Sequence, residues 1–107
     1  MDKQIPGVSN AFQSFLTNAP IHAQAWMKAA QDLEAASALD EKTKELAYIA
    51  VLAALRMDSG IPFHVQMAKK RGASRDEVIS AILVGLPAAG NAVTQSMPAA
   101  IAAYDGV

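Results

Sequence analysis

A run of ten residues, Leu46 to Leu55, limits the folds open to this chain, because only Tyr48 within it carries a polar side-chain atom. A membrane-spanning helix needs about 20 apolar residues, so the run predicts a helix enclosed by protein instead. Two interpretations stay open: this helix is the centre of the core, or part of its surface lies in a subunit interface. Alanine-rich faces on two other helices also permit close helix contact, which favours an oligomer.

The composition predicts an all-α protein with a single domain over residues 1–107. Alanine, the strongest helix former, supplies about a fifth of the chain. No stretch alternates apolar and polar residues as a strand would. Helix start and stop signals divide the chain into about six helices: Pro6-Gly7 to Asn18, Pro20 to Ser37, Asp40 to Met57, Gly60 to Arg71, Ser74 to Leu86, and Gly90 to Tyr104.

The fifth helix has a clear start signal. Ser74 at the N-cap and Glu77 at the third helical position form the pattern of a capping box. The apolar spacing that follows predicts five core residues: Val78, Ile79, Ile82, Leu83 and Leu86.

The charge balance and the absence of cysteine exclude several classes of function. Nine Lys and Arg against ten Asp and Glu give a net charge of -1, whereas a nucleic-acid-binding protein needs a basic excess. Without cysteine there is no disulfide, thiolate metal ligand or thiol nucleophile, which fits a cytoplasmic location. The first ten residues lack the apolar stretch of a signal peptide. No metal-ligand spacing or phosphate loop is present, so we expect no metal, cofactor, nucleic acid or membrane partner.

Few residues are candidates for chemistry. His64 lies among apolar residues in the fourth helix, and Glu45 begins the apolar run. The second histidine, His22, is predicted to be exposed in the first turn of its helix. A histidine among apolar residues, as His64 is, is most often a packed core residue. Glu45 is also explained as a partner of the helix dipole.

The segment from residue 39 to residue 104 resembles the carboxymuconolactone decarboxylase family, which includes the alkylhydroperoxidase D-like proteins. The resemblance rests on LDEKTKELAYIAVLAAL, FHVQMAKKRGASRDEV and GLPAAGNAV, in that order. It implies the helical bundle of the alkylhydroperoxidase D-like fold and assembly as a homo-trimer or hexamer.

The peroxidase branch of this family has a CxxCxxxH signature, which this chain lacks. Its two cysteine positions correspond to Met57 and Gly60, and its relay histidine corresponds to Ser59. The relay glutamate corresponds to Glu45 and is kept. Since the thiolate is the nucleophile, thiol peroxidase activity is disfavoured.

The decarboxylase branch works without cysteines, and the resemblance implies a lyase that performs acid–base chemistry on a small lactone or carboxylate. It assigns His64 as the acid–base group and Glu45 as its partner, with Met57, Ser59, Gly60 and Ile61 as binding residues. Two alternatives remain: a non-catalytic helical oligomer that binds a small ligand or a partner protein, and a peroxide-handling protein.

For this chemistry, Glu45 and His64 must also be in contact. A straight helical hairpin that turns at Ser59 would place His64 opposite Ala54 and leave Glu45 about 13 Å away. Contact then needs crossed or bent helices, or a second subunit. We predict nevertheless that Glu45 and His64 lie within hydrogen-bonding reach, in a cavity lined by Met57, Ile61 and Leu86.

Overall fold

The computed structural model describes residues 8–107, and all regular structure in this part of the chain is helical. The all-α prediction is therefore confirmed. The start of the first helix, predicted at Pro6-Gly7, lies outside the described residues. The α-helices are α1 (Asn10–Asn18), α2 (Pro20–Ala36), α3 (Glu41–Ala54), α4 (Ile61–Lys70), α5 (Arg75–Leu83), α6 (Leu86–Ala89) and α7 (Met97–Asp105). Two 3-10 segments, Asp58–Gly60 and Asn91–Ser96, connect α3 to α4 and α6 to α7.

Side-chain caps explain where several of these helices begin. The Asp40 carboxylate accepts a hydrogen bond from the Thr43 backbone N–H and so starts α3. At α5, the Ser74 hydroxyl accepts from the Glu77 backbone N–H, and the Glu77 carboxylate accepts from the Ser74 N–H. This confirms the predicted capping box.

The core is formed where α3, α4, α5 and α7 pack together. Its largest fully buried side chains are Ile49, Ile61, Val65, Val78, Ile82, Val93 and Ser96. Among residues 8–107, no helix has the length and apolar character required to span a membrane.

The prediction that Leu86 enters the core with α5 is wrong. Val78 and Ile82 are buried, and Ile79 and Leu83 are half-buried, but Leu86 is 37% exposed. The reason is that α5 ends at Leu83 and Leu86 begins the short helix α6. The apolar face of α5 therefore does not continue to this residue.

The apolar helix α3 has two different faces. Ile49, Leu52 and Ala53 are buried in the core, whereas about half the surface of Tyr48 and Val51 is exposed, and Leu55 is 64% exposed. These three exposed residues follow helical spacing and form one outer face of α3. Within the single chain, α3 is thus a core helix on one side and uncovered on the other.

The first two helices form an arm on this body. α1 packs against α2, but the buried residues of the 17-residue helix α2 comprise Ala23 alone. Its outward apolar residues include Ile21, Trp26 and Leu33. An ion pair at 3.3 Å between Glu34 and Lys44 joins α2 to α3. A helix with so little burial gains little stability from its own chain.

Candidate functional site

The α3–α4 hairpin turns earlier than its sequence suggests. α3 ends at Ala54, and Arg56 takes a left-handed conformation with φ of 57°. The Met57 backbone N–H then donates to the Leu52 carbonyl oxygen at 2.9 Å. The 3-10 turn from Asp58 to Gly60 therefore already belongs to the returning limb. A Cβ atom at Gly60 would lie 3.3 Å from a methyl carbon of Leu52, which shows how closely the two limbs approach.

This register brings the two candidate residues together within one chain. Beyond Gly60, His64 lies beside Tyr48, and Arg71 lies beside Glu41. On α3, Glu45 lies between Glu41 and Tyr48, one turn from Tyr48. Its side chain therefore reaches His64. The distance of about 13 Å expected between Glu45 and His64 is therefore wrong, because it assumed that the hairpin turns at Ser59.

Glu45 and His64 make a direct contact across the hairpin. Oε2 of Glu45 is 2.9 Å from Nδ1 of His64, and the two side chains are 19% and 25% exposed. Because carboxylate oxygens accept hydrogen bonds, the contact suits the form of His64 that carries a hydrogen on Nδ1. The other ring nitrogen, Nε2, has no hydrogen-bond partner among residues 8–107. A carboxylate on one nitrogen and a free second nitrogen are the arrangement of an acid–base histidine.

Two aromatic rings enclose the imidazole. The ring of Tyr48 lies 4.3 Å from that of His64, centroid to centroid, at an interplanar angle of 56°. The ring of Phe63 lies 5.2 Å away and nearly perpendicular, at 84°. The sequence did not reveal either of these ring contacts. Once the register of the hairpin is known, the positions of Tyr48 on α3 and His64 on α4 predict that the two rings meet.

The four residues predicted to bind a ligand have different environments. Met57 and Ser59 are exposed, Gly60 is half-buried, and Ile61 is completely buried. The predicted cavity lined by Met57, Ile61 and Leu86 stays a prediction. A groove of about 640 Å³ between α3 and α5 is lined in part by Ala47, Ala50 and Val84, and neither Glu45 nor His64 borders it. The binding roles of the four residues stay predictions.

A second polar contact, which the sequence did not reveal, ties the turn to the core. The hydroxyl of the fully buried Ser96 donates to Oδ1 of Asp58 at 2.7 Å. Asp58 lies in the 3-10 turn that precedes α4 and its His64. This hydrogen bond fixes the returning limb of the hairpin against the segment before α7.

Charges at the open end of the hairpin hold the two helices together. Lys44 and Arg71 both contact the Glu41 carboxylate, at 3.1 and 2.8 Å. The hydrogen bond from Lys44, followed by the charges of Lys44 and Arg71, keeps the pKa of Glu41 below its usual value. In the described part of the chain, no cluster of three or more His, Asp or Glu side chains could hold a metal ion.

The fold and this contact define a class: an all-α protein whose helical hairpin carries a Glu–His pair. The sequence profile of the carboxymuconolactone decarboxylase family matches residues 20–102. The chain belongs to this family, as the resemblance implied. It is also similar to a crystal structure of a carboxymuconolactone decarboxylase family protein from Legionella pneumophila, solved in the apo form. The TM-score is 0.75 and the identity 26%, over 90% of this chain and 86% of that one. No curated protein sequence matches the chain significantly.

Proposed function

We propose that this protein is an acid–base enzyme that moves a proton on a small lactone or carboxylate, with His64 as the acid–base group. The observation that carries the proposal is the contact of 2.9 Å between Glu45 Oε2 and His64 Nδ1, with Nε2 left without a partner among the described residues. Glu45 orients the ring and stabilises the imidazolium, as carboxylates do beside catalytic histidines.

Decarboxylation of a lactone acid suits this arrangement. The bond between a ring carbon and the carboxylate group breaks, carbon dioxide leaves, and the electron pair stays on the carbon as an enolate conjugated with the lactone carbonyl. The His64 imidazolium donates its Nε2 hydrogen to that carbon, and solvent then returns a proton to Nε2. One proton is thus consumed for each carbon dioxide released, while Nδ1 stays bonded to Glu45.

The arginines argue for a small substrate with little negative charge. Arg71 is paired with Glu41 and Arg75 with Asp105. Arg56 is exposed at the hairpin turn and makes no ion pair within residues 8–107. The chain therefore supplies no cluster of free guanidinium groups for a dicarboxylate. A single carboxylate or a neutral lactone fits better.

The proposal is tested by measuring carbon dioxide release from a panel of γ-lactone carboxylic acids. His64→Ala and Glu45→Gln should each lower turnover, and loss of one positioned proton-transfer group typically costs 10²–10⁴-fold. His22→Ala is the matched control, because His22 is exposed on α2, away from the hairpin. Turnover that survives in His64→Ala, or is equally reduced in His22→Ala, would contradict the catalytic role.

A second candidate function is a non-catalytic oligomer that binds a small ligand or a partner protein. It is favoured by the uncovered outer face of α3 and by the outward apolar residues of α2, because apolar surface of this kind marks interaction sites. This candidate predicts ligand binding without turnover. It also predicts that His64→Ala lowers stability more than it lowers ligand affinity.

A further inference from the structure

Tyr48 is the single polar side chain within the apolar run, and the fold of residues 8–107 does not use its hydroxyl. The other tyrosine, Tyr104, donates its hydroxyl hydrogen to the Ala73 carbonyl oxygen at 2.8 Å. The Tyr48 hydroxyl makes no hydrogen bond within the described part of the chain, and the residue is 48% exposed. A hydroxyl in this position contributes nothing to internal hydrogen bonding, so its presence calls for another explanation.

The ring of Tyr48 limits where the imidazole of His64 can go. It lies against the imidazole at 4.3 Å, while Phe63 closes a second side and Glu45 holds Nδ1. Nε2 is the ring nitrogen without a hydrogen-bond partner among residues 8–107, and the His64 side chain is 25% exposed. A tyrosine ring at this distance also attracts the imidazolium that forms when Nε2 takes a proton.

The hydroxyl belongs to the ring whose centroid lies 4.3 Å from that of the imidazole. At this distance between the two rings, one small lactone acid is long enough to contact both the hydroxyl and the imidazole. Phenol hydroxyls are good donors to carboxylate and enolate oxygens, and a donor fixed in advance stabilises charge that develops on such an oxygen. A simple surface tyrosine explains the exposure but not the close contact with the His64 ring.

We propose that Tyr48 is a substrate-binding residue that positions the His64 ring and donates its hydroxyl hydrogen to an oxygen of the substrate. This inference rests on the proposed function of the Glu45–His64 pair. The role of Tyr48 adds a substrate class: small molecules in which a carboxylate or carbonyl oxygen lies close to the carbon that exchanges a proton.

The test separates the ring from the hydroxyl. Tyr48→Phe keeps the ring contact and removes the donor, whereas Tyr48→Leu removes both. The probe is a γ-butyrolactone bearing one carboxylate, titrated while the ring signals of His64 are followed by NMR. His22 serves as an internal reference in the same spectra. Tyr104→Phe is the control, because it removes the hydroxyl that the fold uses.

In the free protein, we expect Tyr48→Phe to leave the His64 ring signals in place and Tyr48→Leu to shift them. With the probe, Tyr48→Phe should weaken binding about tenfold, the usual effect of one lost hydrogen bond. Tyr104→Phe should lower stability and leave probe affinity unchanged. Equal affinity in Tyr48→Phe and the parent protein would overturn the role of the hydroxyl.

Failure of the proposed function has a different signature. If the His64 signals of the parent protein do not respond to the probe, the acid–base function on this substrate class is contradicted, and the hydroxyl's role falls with it. The spectra of the Tyr48 variants without the probe still decide whether the Tyr48 ring positions His64. Unchanged His64 signals in Tyr48→Leu would overturn that part.

Discussion

The buried hydroxyl of Ser96 donates a hydrogen bond of 2.7 Å to the carboxylate of Asp58, a residue 38 positions earlier in the chain. Asp58 begins the turn from which α4 starts, and α4 carries His64. The contact therefore ties the α3–α4 hairpin to the C-terminal part of the fold. It is a polar contact at the edge of an otherwise apolar core, where loss of either partner is costly.

Ser96→Ala should lower the free energy of unfolding by about 1–3 kcal/mol, because it removes the buried hydroxyl that donates a hydrogen bond to the partly buried Asp58 carboxylate. Urea unfolding of parent and variant at the same protein concentration measures the difference. Ser80→Ala is the control, since Ser80 is exposed on α5. Equal losses in the two variants would show that the hydrogen bond contributes nothing specific.

Stability should fall as the pH drops below about 4.5, and the capping box should contribute to the loss. The backbone N–H of Ser74, followed by the Lys42 side chain, holds the pKa of Glu77 below its ordinary value of 4.5. A depressed pKa in the folded state stabilises the protein at higher pH, and this contribution disappears as the pH falls through the folded value. Thermal unfolding of Glu77→Gln should therefore depend less on pH in this range. An unchanged pH dependence in the variant would contradict this account.

We propose that the protein assembles through Val51 and Leu55 on α3, as a trimer or hexamer. Val51 and Leu55 expose about half their surface or more. On α2, Trp26 is also exposed. Light scattering at micromolar concentration should return a multiple of the chain mass of 11.2 kDa. Leu55→Glu should reduce that mass, because it places a charge within an apolar contact. Gln66→Glu, on the exposed side of α4, should not. A parent protein of about 11.2 kDa would refute the assembly.

The protein should not sustain thiol-dependent reduction of an organic peroxide, because the chain contains no cysteine. Methionine oxidation removes at most a few equivalents of peroxide and needs a separate reductase to reverse. Peroxide consumption over many turnovers, with dithiothreitol as reductant, is the measurement. Continued turnover would mean that another group replaces the missing thiols.

Most helices could be predicted because specific residues mark their ends. Asp40 and Ser74 are caps, and Pro20 lies in the first turn of its helix, so these three starts match the structure. The end of α3 carries no such mark. Arg56 takes a positive φ that its residue type rarely adopts, so the sequence suggested a helix that continues to Met57.

That one error changed the expected geometry of the site. The residue types of Glu45 and His64 and the family resemblance nominated the pair, but the spacing alone placed them apart. The aromatic contact of Tyr48 could not be derived either, because it depends on the same hairpin register. The buried state of Ile61 and the exposure of Leu86 likewise follow from where the neighbouring helices end.

The hairpin from Glu41 to Arg71 also has a consequence for the order of events during folding. Glu45, Tyr48, Phe63 and His64 all lie in this stretch, and the pair that makes the hydrogen bond is 19 residues apart. Contacts over such short separations cost little loop-closure entropy and form early. A newly synthesised chain can therefore form the contact between Glu45 and His64 without a second copy. Dilution of the protein should leave this contact intact.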